Sequence, residues 1–286
     1  MDQRIINLFD EYTHKPLSRE VFLRRLAELT GGAAAAVALL PMLEVNYAHA
    51  ETVAHSDDRI LTETVSFPGA DGTTMKGYLA RPAAVGKYPA VVVIHENRGL
   101  NAHIEDVTRR LAVAGFVALA PDALAPAGGT PADETAMREL FGKLDPLKTR
   151  ENFVNAVSFL QTNANSTGKV GCVGFCWGGA MSNQLAIHAP GLKAAVPYYG
   201  RQPDAADVPK IKAAVQLHYG GLDERVNAGI PAYEEALKKA GVDYQLFIYD
   251  GAQHAFHNDT APTRYNEAAA KLAWSRTLAF LREKLG

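Results

Sequence analysis

The chain has 286 residues, of which 48% are hydrophobic and 21% charged, and its formal net charge is -2. These proportions are those of an ordinary globular protein, and a core of this size needs neither a disulfide nor a metal to hold it together. The balanced charge excludes a basic surface for nucleic acid, and no acidic run of the kind found in disordered tails is present.

The first 50 residues form a segment that differs from the rest of the chain. Apolar residues from Ile5 to Tyr12 have helical spacing, Pro16 interrupts this helix, and Ser18 could cap the next one. We therefore expect residues 1–50 to be a signal-like or helical segment that precedes the main domain.

A secretory signal is the first interpretation of this segment. Arginines precede an apolar stretch over residues 33–43, and Ala48-His49-Ala50 follows as an A-x-A-like cleavage site. This order predicts a periplasmic or secreted protein that is cleaved near Ala50. The sequence that begins at Ser18 is similar to a twin-arginine signal, but Glu20 stands in place of the second arginine. The alternative is an amphipathic helix packed on a cytoplasmic protein. The apolar stretch is shorter than the roughly 20 residues of a membrane span, so no stable span is predicted.

From residue 51 onward, strand-like and helix-like runs alternate. Predicted strands cover residues 65–67, 75–79, 90–94, 116–120, 170–175, 194–199, 214–219 and 244–249. Predicted helices cover residues 104–114, 133–142, 149–161 and 231–240, and a closing helix carries the apolar stripe of Trp274, Leu278, Leu281 and Leu285. The alternation predicts a single α/β domain over residues 51–286, with a mostly parallel sheet between helices. Functional residues are expected at the carboxyl ends of its strands.

A glycine-rich turn follows the strand at residues 170–175. Gly174-Phe175-Cys176-Trp177-Gly178-Gly179 has the form glycine–x–nucleophile–x–glycine, which exposes the middle side chain above the sheet. Glycines are expected there because a Cβ would collide with the neighbouring helix or strand. The N–H of Trp177 would lie at a helix N-terminus, where it could hold an oxyanion and where the helix dipole favours a thiolate at Cys176. The alternative is a buried structural cysteine.

An acid and a histidine follow this turn in the order that α/β-hydrolases require. Asp223 and His254 each come directly after a predicted strand, so both lie on the same side of the sheet as Cys176. Asp250 and Glu224 are alternative acids, but Asp223 follows a tight glycine turn. The sequence therefore predicts a triad of Cys176, Asp223 and His254.

With these residues, and with His95-Glu96-Asn97-Arg98-Gly99, the chain from about residue 58 to residue 286 resembles the dienelactone hydrolase family of cysteine α/β-hydrolases. The resemblance implies that Glu96 contacts the nucleophilic cysteine and helps control its ionisation. It also implies that the backbone N–H of Asn97 contributes to the oxyanion hole. A carboxylate beside a thiol can take its proton, while N–H groups hold the developing charge. Without the resemblance, Glu96 could equally be an ordinary loop carboxylate.

One position departs from the family pattern. Members that act on dienelactone hold its carboxylate with arginines, one of them four residues beyond the catalytic histidine, where this chain has Asn258. We therefore expect a preference for neutral esters or lactones, unless a cation from another loop replaces the missing charge. Candidate substrate-binding residues are Arg98, Arg138, Trp177, Tyr198, Tyr199, Arg201, Phe256, His257 and Asn258.

The sequence thus predicts a hydrolase of a small ester or lactone that works through an acyl-enzyme and needs no cofactor. A non-catalytic small-molecule binding protein on the same fold is the alternative. A metal site is a third interpretation, weakened by the lack of a clustered acidic or thiolate set. Its candidate ligands are His95, Cys176, His218, His254 and His257.

Overall fold

An eight-stranded sheet organises the chain in the computed structural model, which describes residues 1–15, 17–44 and 51–286. The predicted cleavage site at Ala48-His49-Ala50 lies outside these described residues, as does Pro16. The strands are β1 (Ile60–Pro68), β2 (Thr74–Pro82), β3 (Tyr88–Ile94), β4 (Val117–Pro121), β5 (Ser166–Phe175), β6 (Ala194–Tyr198), β7 (Ala214–Gly220) and β8 (Tyr244–Tyr249).

The strand order is β1-β2-β4-β3-β5-β6-β7-β8. β1 and β2 run antiparallel to their neighbours, and the remaining pairs are parallel. The predicted α/β-hydrolase fold with a mostly parallel sheet is confirmed. β5 lies at the centre, so its carboxyl end is flanked on both sides by the ends of other strands.

Helices cover both faces of the sheet. The described helices are α1 (Gln3–His14), α2 (Arg19–Thr30), α3 (Ala33–Leu43), α4 (Ala102–Val113), α5 (Glu134–Gly142), α6 (Pro146–Thr162), α7 (Trp177–His188), α8 (Glu224–Asn227), α9 (Ile230–Ala240) and α10 (Glu267–Leu285). Because side chains alternate along a strand, Val92 of β3 packs in the core under α6, α7 and α9, and Val91 packs in the core under α4 and α10.

The largest difference from the predicted elements is β1, which begins at Ile60 rather than at Val65. It is an edge strand whose residues 61–66 are exposed or half-buried, and several are polar. Its pairing with β2 rests on backbone hydrogen bonds, which a search for apolar runs does not detect.

The first three helices share a small apolar core of their own, which includes Phe9, Phe22, Leu26 and Leu43. The hydroxyl of Ser18 caps α2 by accepting a hydrogen bond of 3.2 Å from the N–H of Val21, as predicted. No single described helix is long and apolar enough to cross a membrane; α2 and α3 together meet the length and composition test, but they meet at an angle of 109°.

α1 packs against the loops at the carboxyl ends of the strands. The carboxylate of Asp10 lies 3.0 Å from the Arg225 guanidinium, and the Asn97 side chain donates a hydrogen bond of 2.7 Å to the carbonyl of Thr13. The guanidinium of Arg264 stacks on the ring of Phe9. The end of α1 is therefore held at the edge of the sheet where functional residues are expected.

Candidate active site

A strained turn joins β5 to α7 at Cys176. Its φ of 57° and ψ of -112° lie outside the regions that non-glycine residues favour. A Cβ at Gly174 would overlap the carbonyl of Gly178, and a Cβ at Gly178 would overlap the carbonyl of Ile94. The two glycines therefore allow β3, β5 and α7 to approach closely enough to form the turn, as the sequence predicted.

Asp223 and His254 form a buried pair beside this turn. Oδ2 of Asp223 lies 2.5 Å from Nδ1 of His254, and Oδ1 accepts a hydrogen bond of 3.2 Å from the N–H of Val226 as the cap of α8. The carboxylate thus fixes the proton of His254 on Nδ1 and leaves Nε2 as the basic nitrogen. Nε2 has no hydrogen-bond partner among the described residues. Asp250 and Glu224, the alternative acids, are exposed.

The thiol of Cys176 has a partner that the sequence did not suggest. Nε2 of His14, the last residue of α1, lies 3.0 Å from Sγ of Cys176. Nδ1 of the same ring lies 2.8 Å from the backbone oxygen of Asp10 and 3.1 Å from its carboxylate. The rings of His14 and His254 meet edge to face, with their centroids 4.8 Å apart. Two histidine–aspartate pairs therefore adjoin one thiol.

Charge favours the protonated form of His14. Burial opposes it, but the charge of Cys176 and the hydrogen bonds to Asp10 and Cys176 raise the pKa of His14 to about 9. The pKa of Asp10 moves the other way. Burial raises it, but the nearby histidines and Arg225 hold it well below its usual range.

Glu96 differs from what the resemblance implies. Its Oε2 accepts a hydrogen bond of 2.9 Å from the side chain of Asn258, and its Oε1 has no hydrogen-bond partner within the described part of the chain. Both Glu96 and Cys176 line one small cavity, with His14 and His254. Among the described residues no hydrogen bond joins Glu96 to the thiol, whose partner is instead the imidazole of His14.

A cavity of about 790 Å³ opens over Cys176. Asn97 and Trp177, the predicted oxyanion-hole residues, line it, as do Tyr199 and His254. The end of α1 forms one wall through residues 12–15. The other lining residues are Leu17, Arg138, Phe141, Gly142, Ala180, Arg201, Arg225 and Val226.

Four of the candidate substrate-binding residues lie elsewhere. Phe256 and Tyr198 are fully buried and pack together in the core. His257 stacks on Phe175 and lines a separate cavity. Asn258 is buried behind Glu96 and does not reach the large cavity. None of the four lines the large cavity, because Tyr198 in β6 and the three residues that follow His254 at positions 256–258 are all buried.

The three candidate arginines differ in their surroundings, although Arg98 and Arg138 both contact the carboxylate of Glu134. Arg98 lies 2.9 Å from Glu134 and lines only the small cavity. Arg138 lines the large cavity, but it is paired with Glu134 and stacked on Tyr12. Arg201 is exposed at the large cavity. Because Asn258 does not face this cavity, its identity gives no reason to expect a neutral substrate.

Of the five predicted metal ligands, only Cys176 and His254 come together. His95 uses both ring nitrogens on backbone groups, those of Glu96 and Ala123. His218 is buried against Tyr249 and Gln216. Within the described residues, the thiol and imidazole atoms of Cys176, His254 and His14 do lie within 4.8 Å of one another, a spacing that could hold a metal ion.

The fold and the strained cysteine turn define an α/β-hydrolase. Comparison with known families makes this more specific. The sequence profile of the dienelactone hydrolase family matches residues 75–285, and this chain belongs to that family. It is accordingly a hydrolase of the ester and lactone class.

Individual relatives agree with this placement. A protein of Methylorubrum extorquens assigned as a carboxymethylenebutenolidase is 33% identical over 247 residues, which cover 81% of this chain and 84% of the relative. A protein from Synechocystis with the same assignment is 34% identical over 244 residues, which cover 79% of this chain and 98% of the relative. A hydrolase fragment of Escherichia coli, YghX, is 50% identical over 113 residues, which are 39% of this chain and 97% of the fragment.

Solved structures give the same result. A structure assigned as a dienelactone hydrolase from Klebsiella pneumoniae superposes with a TM-score of 0.70 at 29% identity, covering 78% of this chain and 98% of that one. A dienelactone hydrolase-like promiscuous phosphotriesterase from metagenomic libraries superposes with a TM-score of 0.71 at 27% identity, covering 80% and 100%.

The sequence missed His14 and Asp10 because they lie in a segment that has the pattern of a leader. Their spacing of four residues on a predicted helix was the available signal, since it brings two side chains together on one face.

Proposed function

We propose that this enzyme cleaves a small ester or lactone through an acyl-enzyme formed on Cys176, with His254 as the base and Asp223 as its orienting acid. The observation that carries the proposal is the 2.5 Å contact between Asp223 and Nδ1 of His254, which leaves Nε2 without a hydrogen-bond partner among the described residues, on a ring that has a nitrogen within 4.8 Å of the thiol. This is the arrangement that nucleophilic catalysis by a thiol requires.

Acylation begins when a histidine beside the thiol takes its proton. The thiolate then attacks the carbonyl carbon, and the carbonyl oxygen becomes an oxyanion. The N–H groups of Asn97 and Trp177 suit this charge, because both residues line the cavity and Trp177 begins a helix. The first N–H groups of a helix have no partner within the helix and favour negative charge. The alcohol portion leaves with a proton from a histidine.

Deacylation needs an activated water. Nε2 of His254 takes a proton from water, and the resulting hydroxide attacks the thioester carbonyl. The acid is released and the thiolate returns. Asp223 stabilises the imidazolium that forms and keeps its Nδ1 proton in place.

The substrate class follows from the family and the cavity. The relatives assigned as carboxymethylenebutenolidases act on a lactone according to their names, and we extend lactones and small esters to this chain. The large cavity has the size expected of a pocket for a small molecule.

The test compares Cys176→Ala with Cys172→Ala. Cys172 is a matched control because it is a second cysteine, buried in β5, where burial raises its pKa to about 12. We expect Cys176→Ala to abolish hydrolysis of a chromogenic ester with the fold retained, and Cys172→Ala to keep it. Iodoacetamide should label Cys176. An active Cys176→Ala enzyme would refute the proposal, and metal analysis of the same preparation would then identify a metal-dependent reaction.

A further inference from the structure

The last turn of α1 brings a second imidazole to the thiol. His14 lies 162 residues from Cys176 in sequence, yet its Nε2 is 3.0 Å from Sγ. We propose that His14 is the residue that takes the proton of Cys176 in the resting enzyme, so that the N-terminal helix is a working part of the active site. This inference rests on the proposed function and assigns one of its proton transfers.

The positions of the protons on His14 and His254 suit the two rings to different proton transfers. Nδ1 of His14 faces the backbone oxygen of Asp10 at 2.8 Å, and a carbonyl oxygen only accepts, so Nδ1 carries a proton. Nε2 is then the atom that exchanges a proton with Sγ. His254 has the same arrangement with Asp223, but its Nε2 has no hydrogen-bond partner in the described chain. One imidazole is thus engaged with the thiol while the other is left for water.

The surroundings of His14 favour its imidazolium form. The pKa of His14 is raised to about 9, so its imidazolium form persists through neutral pH. The titratable and charged groups that face it are Asp10 on its own helix, Cys176 and His254 across the cavity, Glu96, Arg98 and Arg264 around the small cavity, and Lys15, Arg138 and Arg201 around the large one. Arg225 faces Asp10 from α8.

Contacts that do not involve the thiol hold His14 in this position. The carbonyl of Thr13 accepts a hydrogen bond from the side chain of Asn97, and the carboxylate of Asp10 pairs with Arg225. At the other end of α1, the side chain of Gln3 bonds to that of Gln253. Anchors at both ends of the helix therefore fix the imidazole against the thiol.

The proton balance is complete with these groups alone. In the resting state the proton of Cys176 is on Nε2 of His14. Thiolate attack forms the C–S bond and breaks the C–O bond of the ester, and the departing alkoxide takes the proton from His14. Water then gives a proton to His254, its hydroxide breaks the thioester, and the proton on His254 passes through Cys176 back to His14. The carboxylic acid product loses its proton to solvent.

The experiment uses the full chain with His14→Gln, and Arg4→Gln as a control at an exposed position on the same helix, where the side chain pairs only with Asp2 among the described residues. The rate of Cys176 alkylation by iodoacetamide is measured from pH 5.5 to 9.5, together with kcat for a chromogenic ester. A free thiol with a pKa near 8.5 is about 1% thiolate at pH 6.5. We expect His14→Gln to lower both the alkylation rate at pH 6.5 and kcat by at least tenfold, with alkylation recovering at high pH. Arg4→Gln should behave as the wild type.

The outcomes separate this inference from other roles of α1. A rise in kcat in His14→Gln would mean that the helix only blocks the site, and an unchanged pH profile of alkylation would mean that the contact is structural; either overturns the inference. If His14→Gln does not fold, His14→Ala with added imidazole is used, and lack of rescue at pH 6.5 overturns it. The proposed function fails separately, through an active Cys176→Ala enzyme.

Discussion

The side chain of Asn258 donates a hydrogen bond of 2.9 Å to the carboxylate of Glu96, and both residues are buried. The same amide accepts hydrogen bonds from the N–H and the hydroxyl of Thr260. Asn258 therefore positions the carboxylate and the loop after His254, and it does not contact the substrate cavity.

Replacing Asn258 should destabilise the fold. Asn258→Ala leaves a buried carboxylate without its donor, and an unsatisfied buried polar group costs about 1–3 kcal/mol. We expect a loss of that size in the free energy of unfolding, measured in urea, whereas Asn7→Ala at an exposed position should change it by less than about 0.5 kcal/mol. Equal stability of both variants would show that Glu96 does not depend on this bond.

Asp223→Asn should lower kcat while the helix cap is kept. The amide oxygen can still accept from the N–H of Val226, but the amide no longer holds the proton on Nδ1 of His254. The equivalent change in a serine triad costs about 10⁴-fold, and the more acidic thiol makes a smaller loss reasonable here. Steady-state kinetics with Asp250→Asn as control measure this; a loss confined to Asp250→Asn would transfer the role of the acid.

The glycines of the turn should not tolerate a side chain. A Cβ at Gly178 overlaps the backbone carbonyls of Ile94 and His95, so Gly178→Ala is expected to prevent folding or to abolish activity. Gly142, at the end of α5, has nothing within 4 Å of its added Cβ. Gly142→Ala should be neutral or stabilise the helix by up to about 1 kcal/mol. Thermal melts of the two variants give the comparison, and a stable, active Gly178→Ala enzyme would contradict the close packing.

The preference of the enzyme for an anionic or a neutral substrate should depend on Arg201. This exposed guanidinium lines the large cavity, so it can bind a carboxylate on the substrate. For a matched pair of lactones, we expect the enzyme to have the higher kcat/KM for the anionic member. Arg201→Gln should lower kcat/KM for this anionic lactone by about tenfold, because hydrogen bonds to charged groups contribute about 1.5–3 kcal/mol and solvent exposure reduces this contribution. The neutral member and the remote Lys87→Gln variant should show no change. A wild-type preference for the neutral lactone would restore the expectation drawn from Asn258.

Acid should destabilise the protein through its buried histidines. Burial lowers the pKa of His218 to about 3, and burial also lowers the pKa of His257 well below its usual value. The unfolded chain takes up these protons near pH 6.5 and the folded chain does not, so stability falls as pH drops below about 6.5. The slope is about 1.4 kcal/mol per pH unit for each histidine. Urea unfolding between pH 7 and 5 measures it. His14, whose pKa is raised to about 9 in the folded protein, is protonated in both states below about pH 6.5 and adds no slope there. Constant stability between pH 6.5 and 5 would disprove the account.

The sequence predicted the parts of the site that depend on local pattern. Cys176, Asp223 and His254 each follow a strand, and a strand end places a residue at a known edge of the sheet. The positions of Asn258 and His257 could not be predicted, because the direction in which a loop turns depends on tertiary packing. The role of His14 could not be predicted for a related reason, because its contact with Cys176 joins a helix outside the sheet to a strand end at the centre of the sheet.

The family profile begins at residue 75, and the helix that contacts the thiol ends at residue 14. Any comparison restricted to the matched part of the chain therefore omits one of the two imidazoles beside Cys176. If His14 takes the proton of Cys176 as proposed, relatives with the proposed triad but without this helix would start catalysis from a different protonation state of the cysteine. Enzymes with the same catalytic residues could for this reason differ in the pH range over which they work and in their sensitivity to thiol reagents.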